Sequence, residues 1–113
     1  PENDIRSRLR SYIKENFPDD AYTDDLFDYR FFPDEKAMLK DFIIYFKTVR
    51  IDFLTGWYSE GFDVPYIMNR IKRLFSEKVL DMLSPWGIVK SRTKITDKGT
   101  TEIFEIVGIT HLD

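Results

Sequence analysis

The sequence contains no cysteine and a single histidine, His111. The first absence excludes disulfides, zinc–thiolate centres and thiol nucleophiles. The second excludes a multi-histidine metal site and leaves a His-based triad without support. A metal ion bound here would be held by oxygen ligands, as Mg²⁺ and Mn²⁺ usually are. No apolar run approaches the roughly 20 residues of a membrane-spanning helix, and no signal-peptide pattern opens the chain, so no membrane partner is expected. A surplus of positive charge is lacking too. Seventeen basic against twenty acidic side chains leave a net charge of −3, which argues against a wholly cationic nucleic-acid binder while leaving room for a local basic face.

What is present is a globular composition, 42% hydrophobic and 16% aromatic, at a length that suits one domain with a small core. The chain starts with Pro1 rather than Met. That suggests a processed or excised piece of a longer polypeptide.

Apolar spacing predicts an amphipathic helix over residues 2–17, with Ile5, Leu9, Tyr12 and Ile13 on one face and Arg6, Arg8, Arg10 and Lys14 on the other. An acidic, turn-rich connection, "PDDAYTDD", follows at 18–25 and reads as mobile. Residues 26–32, "LFDYRFF", read as a short strand ended by Pro33. From Pro33 the pattern turns helical, with Asp34 and Glu35 facing the positive end of the helix dipole. Met38, Leu39, Phe42, Ile43, Phe46 and Val49 make its apolar stripe. Residues 51–57, "IDFLTGW", are almost continuously apolar, as a strand buried between layers would be. Residues 64–83 read as one helix, with Ile67, Met68, Ile71, Leu74, Phe75 and Leu83 on a single face. Residues 87–109 form a hairpin about "DKG", whose glycine can take positive φ. The order predicts an α/β domain with a mixed sheet, flanking helices and a C-terminal hairpin.

The residue that calls for chemistry is Asp63, between the strand and the next helix. Aspartate ahead of "VPY" makes a sensible N-cap, with Pro65 tolerated in the first turn. An acid just past the carboxyl end of a buried strand also lies where open α/β sheets place their ligands. A Mg²⁺ site needs further carboxylates, and neither Glu60 nor Asp52 supplies one by spacing alone. Residue types leave both readings open.

The run "FLTGWYSEGFDVPYIMNRIKRLF", continued by "LSP", resembles the second exonuclease motif of family B DNA polymerases, in particular those of T-even-type bacteriophages. The similarity runs from about residue 33 to "GITHLD" and is loose over residues 1–32. It implies a single domain, 1–113, that is part of a ribonuclease-H-like 3′→5′ exonuclease domain. Such a domain removes misincorporated nucleotides from a single-stranded primer 3′ end. By motif match Asp63 is the metal-associated and catalytic aspartate and Phe62 its aromatic neighbour. The cofactor implied is a two-metal site of Mg²⁺ or Mn²⁺, which activates a water and stabilises the leaving oxygen. A phage polymerase would work in the host cytoplasm.

Three departures accompany the resemblance. Tyr58 stands where the motif usually has Asn, and an aromatic ring there suits stacking on a DNA base. No Asp-x-Glu pair on a strand is found over 1–32. The Tyr-x-x-x-Asp motif should lie beyond Asp113. With one carboxylate of roughly four that a two-metal site needs, the chain alone is expected to be inactive and to need the remainder of a polymerase chain or a complementing subunit. Lys90, Arg92 and Lys94 share one strand face and suit either DNA phosphates or a solubilising edge. Trp57 and Trp86 are expected to pack, and His111 is taken as structural or solvent-exposed. A sheet with an open edge suggests a homodimer of the isolated chain. Two other identities remain: a small winged-helix DNA-binding module, with the 64–83 helix ahead of a basic hairpin, and a natural subunit of a split polymerase.

Overall fold

The computed structural model describes residues 2–19 and 28–113. The chain divides into two compact units, Pro1–Met38 and Leu39–Asp113. In the first, α1 (Glu2–Asn16) forms as its spacing predicts. An exposed Arg8–Asp4 pair one turn apart is laid along it at 3.3 Å, and such pairs add only a few tenths of a kcal/mol. Most of the predicted mobile connection lies outside the described residues. The predicted strand at 26–32 is not formed: its first two residues are likewise outside, and Asp28–Phe32 have irregular backbone. Pro33, which lacks an N–H, helps to keep that segment from extending a ladder.

α2 (Glu35–Val49) starts where the sequence says it should. The Ala37 N–H donates to Asp34 Oδ1 at 2.7 Å, so Asp34 satisfies one of the donors that a helix N-terminus leaves unpaired. Leu39 and Ile43 are buried, whereas Val49 is exposed and the predicted stripe does not continue to its end. The helix stops at Arg50, which takes a left-handed conformation, φ 54°.

β1 (Phe53–Thr55) pairs in parallel with β4 (Thr110–Leu112), with Leu54 opposite His111, and the Thr110 N–H donates to Asp52 O at 2.9 Å. The expectation of a strand buried between layers fails. β1 is three residues long, Phe53 is exposed, and its second edge has no strand partner among the described residues. Nor is there one mixed sheet: the described residues hold this parallel pair and a separate antiparallel hairpin, β2 (Val89–Thr96) with β3 (Gly99–Ile106). The "DKG" turn behaves as predicted, with Gly99 at φ 120° closing Thr96 against Gly99.

Residues 64–83 are not one helix. α3 (Val64–Leu74) ends at Phe75, Ser76 is extended, and α4 (Glu77–Leu80) restarts before a 3₁₀ turn at Asp81–Leu83. Serine favours the extended cap position that begins a helix, and the break lets both segments turn apolar residues inward. The core of the second unit gathers Leu39 and Ile43 of α2, Val64, Met68 and Ile71 of α3, Leu80, Leu83, and Phe104 and Ile106 of β3. Ile71 is its fully enclosed centre, at 0% exposure. Hairpin and helix are joined at the edge by Lys72, 4.0 Å from Glu102 and 5.9 Å above the Phe104 ring.

Candidate functional site

After β1 the backbone makes a tight descent into α3. Tyr58 adopts a left-handed conformation, φ 59° and ψ 31°, and Ser59–Asp63 then form a π-helical turn that runs directly into the helix. Two glycines permit this. A Cβ on Gly56 would lie 2.9 Å from Ser59 Cβ, and one on Gly61 would lie 2.6 Å from Tyr58 Cζ. The Tyr58 ring is thus folded back over Gly61 while most of it stays in solvent. The π-turn was not legible in the sequence; such turns recur at functional sites.

The turn is held from the other strand. Ser59 is buried, at 5% exposure. Its N–H donates to Asp113 Oδ1 at 2.9 Å, its hydroxyl lies 3.3 Å from the same oxygen, and the Glu60 N–H donates to Asp113 Oδ2 at 3.3 Å. The Ser59 hydroxyl also meets His111 Nε2 at 2.7 Å. His111 thus has the structural place that was one of its two expected roles. Together with Asp113 it ties β4 to the start of the π-turn. Asp113 bonds the serine and not the imidazole, so the three do not form a nucleophilic relay. The pairing spans more than fifty residues, and no local spacing could have announced it.

Asp63 occupies the junction of π-turn and α3. Its backbone is helical, φ −63° and ψ −47°, and its carboxylate makes no capping hydrogen bond. The capping role is therefore unfilled, and the side chain stands exposed and uncommitted just beyond the carboxyl end of β1, where parallel α/β sheets place ligands. Phe62 and Tyr66 lie on either side of it in sequence and stack on each other, ring centroids 6.2 Å apart and planes 14° from parallel. Both rings are largely exposed. Tyr66 was missed as a site residue, although its i, i+4 spacing from Phe62 is the pattern that brings two rings together on a helix.

Among the described residues no group of three His, Asp or Glu side chains forms a metal-holding cluster. An exposed, unpaired carboxylate fits one contribution to an oxygen-liganded divalent site; it does not make a site by itself. Lys90, Arg92 and Lys94 lie exposed on β2, across from Glu105, Ile103 and Thr101. The π-turn packs against β3, and the cations stand on the hairpin's other strand. Tyr58, Phe62 and Asp63 come together in one turn; the three cations form a separate stripe. The tryptophans are not packing residues in the sense expected: Trp57 is 97% exposed and Trp86 73%.

Comparison with known proteins agrees with the motif. The family model described as DNA polymerase family B, exonuclease domain, matches residues 7–113. The DNA-directed DNA polymerase of Enterobacteria phage T4 is 43% identical over 82 residues, which is 73% of this chain and 9% of that protein. The DNA-directed DNA polymerase of Escherichia phage RB69 is 38% identical over 84 residues, again 73% of this chain and 9% of the relative. The DNA polymerase catalytic subunit of Rat cytomegalovirus (strain Maastricht) is 41% identical over 46 residues, 41% of this chain and 4% of that protein. The chain thus spans about a tenth of the length of its phage relatives. With a turn of this geometry lying inside the matched segment, the chain belongs to the exonuclease-domain family of the family B DNA polymerases.

Proposed function

We propose that this chain is the segment of a ribonuclease-H-like 3′→5′ proofreading exonuclease that carries the second of its acidic motifs. Asp63 is the contributed metal-associated carboxylate, for Mg²⁺ or Mn²⁺. The observation that carries the reading is the state of Asp63: exposed, without a capping bond, and fixed at the carboxyl end of a parallel strand by a turn braced from β4. When bound, the metal ions supply an activated water and charge stabilisation for the departing 3′ oxygen.

The residues of this chain bind and orient. Phe62 and Tyr66 offer stacked faces to the bases of an unpaired 3′ end, and Tyr58 adds a third ring where the motif usually has an amide. Base–aromatic stacking of this kind tolerates any sequence, as proofreading requires. Lys90, Arg92 and Lys94 meet phosphates flanking that end. The partners are therefore single-stranded DNA and the polymerase chain that carries the remaining carboxylates, in the cytoplasm of a phage-infected host. The winged-helix reading is not favoured, because α3 follows a strand in parallel pairing with β4, an arrangement that such a module does not use to present its helix.

Complementation tests the proposal. The 113-residue chain alone should not digest a 3′-labelled single strand in Mg²⁺. Mixed with a polypeptide bearing an Asp-x-Glu strand and a Tyr-x-x-x-Asp helix, it should do so only when Asp63 is present. Digestion by the Asp63→Ala mixture at the parental rate would contradict the assignment.

A further inference from the structure

At the end of the β1/β4 pair opposite Asp63 lies a cleft of about 510 Å³. Its lining comes from the end of α2, the approach to β1, the 82–86 segment and the turn before β4. Phe46, Leu83 and Ile109 form an apolar floor, and Lys47, Arg50 and Trp86 lie along it. The size suits a nucleotide-sized ligand, and Asp52 is the one acid in the lining.

Three features set the cleft apart from an ordinary surface depression. First, Trp86 is exposed yet held. Its backbone N–H donates to Ser84 Oγ at 3.1 Å, and that hydroxyl donates to Val107 O at 2.5 Å. Its ring lies so close over Gly108 that any Cβ there would strike it. Gly108 itself sits at φ 97°, so the backbone is shaped to receive the indole along one edge and leave the rest in water. Secondly, Arg50 takes φ 54° just past a helix, where glycine is the unstrained choice, so a cation stands at a strained backbone position. Thirdly, neither the Lys47 ammonium nor the Arg50 guanidinium is engaged in a hydrogen bond or ion pair among the described residues.

A fixed aromatic face beside two uncommitted cations is the pairing that single-stranded nucleic acid recognises: a base stacks on the ring and adjoining phosphates meet the charges. We propose that this cleft is a second contact for single-stranded DNA, with an unpaired base on Trp86 and its phosphates on Lys47 and Arg50. It is separate from the Asp63 turn, because β1 intervenes, so it holds a stretch of strand other than the 3′ terminus. A protein segment covering the apolar floor is the competing occupant. It would need neither an unpaired base nor the two charges.

Trp57→Phe leaves Trp86 as the sole tryptophan reporter in the 113-residue chain. Titration with an eight-nucleotide oligothymidylate should then quench its emission saturably, with affinity falling as salt rises. Lys47→Ala with Arg50→Gly should weaken binding and reduce the log–log salt slope by about 1.4, two phosphate contacts at roughly 0.7 each. Arg50→Gly relieves backbone strain, so a melting temperature at or above the parent's separates lost binding from lost folding. Asp63→Ala should leave the quench unchanged. That arm also separates this cleft from the exonuclease reading, which can fail while the cleft binds, or the reverse. The proposal is overturned by any of four results: no quench, equal binding of a blunt duplex of the same charge, a salt slope indifferent to the two cations, or loss of the quench with Asp63→Ala.

Discussion

Asp113→Ala should loosen the turn that carries Asp63 while leaving the core intact. The carboxylate accepts from the Ser59 N–H at 2.9 Å and from the Glu60 N–H at 3.3 Å, and it lies 3.3 Å from the Ser59 hydroxyl. These three do not weigh equally. Glu60 is only half-buried, so water replaces the lost acceptor at little cost. The Ser59 hydroxyl keeps His111 Nε2 at 2.7 Å. The Ser59 N–H has no such refuge, because Ser59 is 5% exposed, and a buried donor left without a partner costs about 1–3 kcal/mol. The sum is about 2 kcal/mol, which for a domain of this size lowers the melting temperature by roughly 10 °C. Asp113→Asn keeps an acceptor oxygen and loses only the charge, so it should cost about half as much. Amide hydrogen exchange locates the effect: Ser59 and Glu60 should lose protection in Asp113→Ala, while the amide of Ile71 in α3 exchanges less affected. A variant within about 0.5 kcal/mol of the parent that retains Ser59 protection would refute the idea that β4 braces the turn.

Other perturbations should behave as follows. Asp63→Ala should change stability by less than about 0.5 kcal/mol in urea unfolding, since a capping aspartate would cost about 1 and this one makes no capping bond. Ile71→Ala, at the enclosed centre of the core, should cost about 3–4 kcal/mol by the same assay. Gly99→Ala forces a side chain into φ 120° and should cost about 1 kcal/mol or more, seen as faster exchange along β2 and β3. Gly61→Ala should displace the Tyr58 ring, whose Cζ lies 2.6 Å from the new Cβ; a shift of the Tyr58 ring resonances without global unfolding is the expected readout. Because β1 has an edge with no partner among the described residues, the isolated chain should self-associate, and light scattering that shows only monomer at high concentration would count against that.

The sequence was most legible where one residue type settles a local conformation. Asp34 behind Pro33 started α2, and Gly99 in "DKG" closed the hairpin, because each solves a problem that its immediate neighbours create. It was least legible where the determinant is distant. Leu74, Phe75, Val79 and Leu80 keep an apolar rhythm across 64–83, so the periodicity runs on through a break that Ser76 makes in the backbone. β1 reads as a buried strand from its composition, yet Phe53 is exposed because burial depends on what covers a strand and not on the strand. At the site, Asp63 stood out by its place between strand and helix, and the motif alone singled out Phe62 and favoured the metal role over the cap for Asp63. Their support by Asp113 and His111 depends on parallel pairing of β1 with β4, which no stretch of sequence encodes locally.

The most direct test of the account is Asp63→Ala in a polymerase chain that contains this segment, assayed for both activities on the same preparation. Mg²⁺-dependent removal of single-stranded 3′ nucleotides should fall by at least about a hundredfold, since even partners one step removed from a metal cost 10–100-fold. Primer extension should be unchanged. Parental exonuclease activity in the variant would contradict the assignment of Asp63, and so would a parallel loss of both activities.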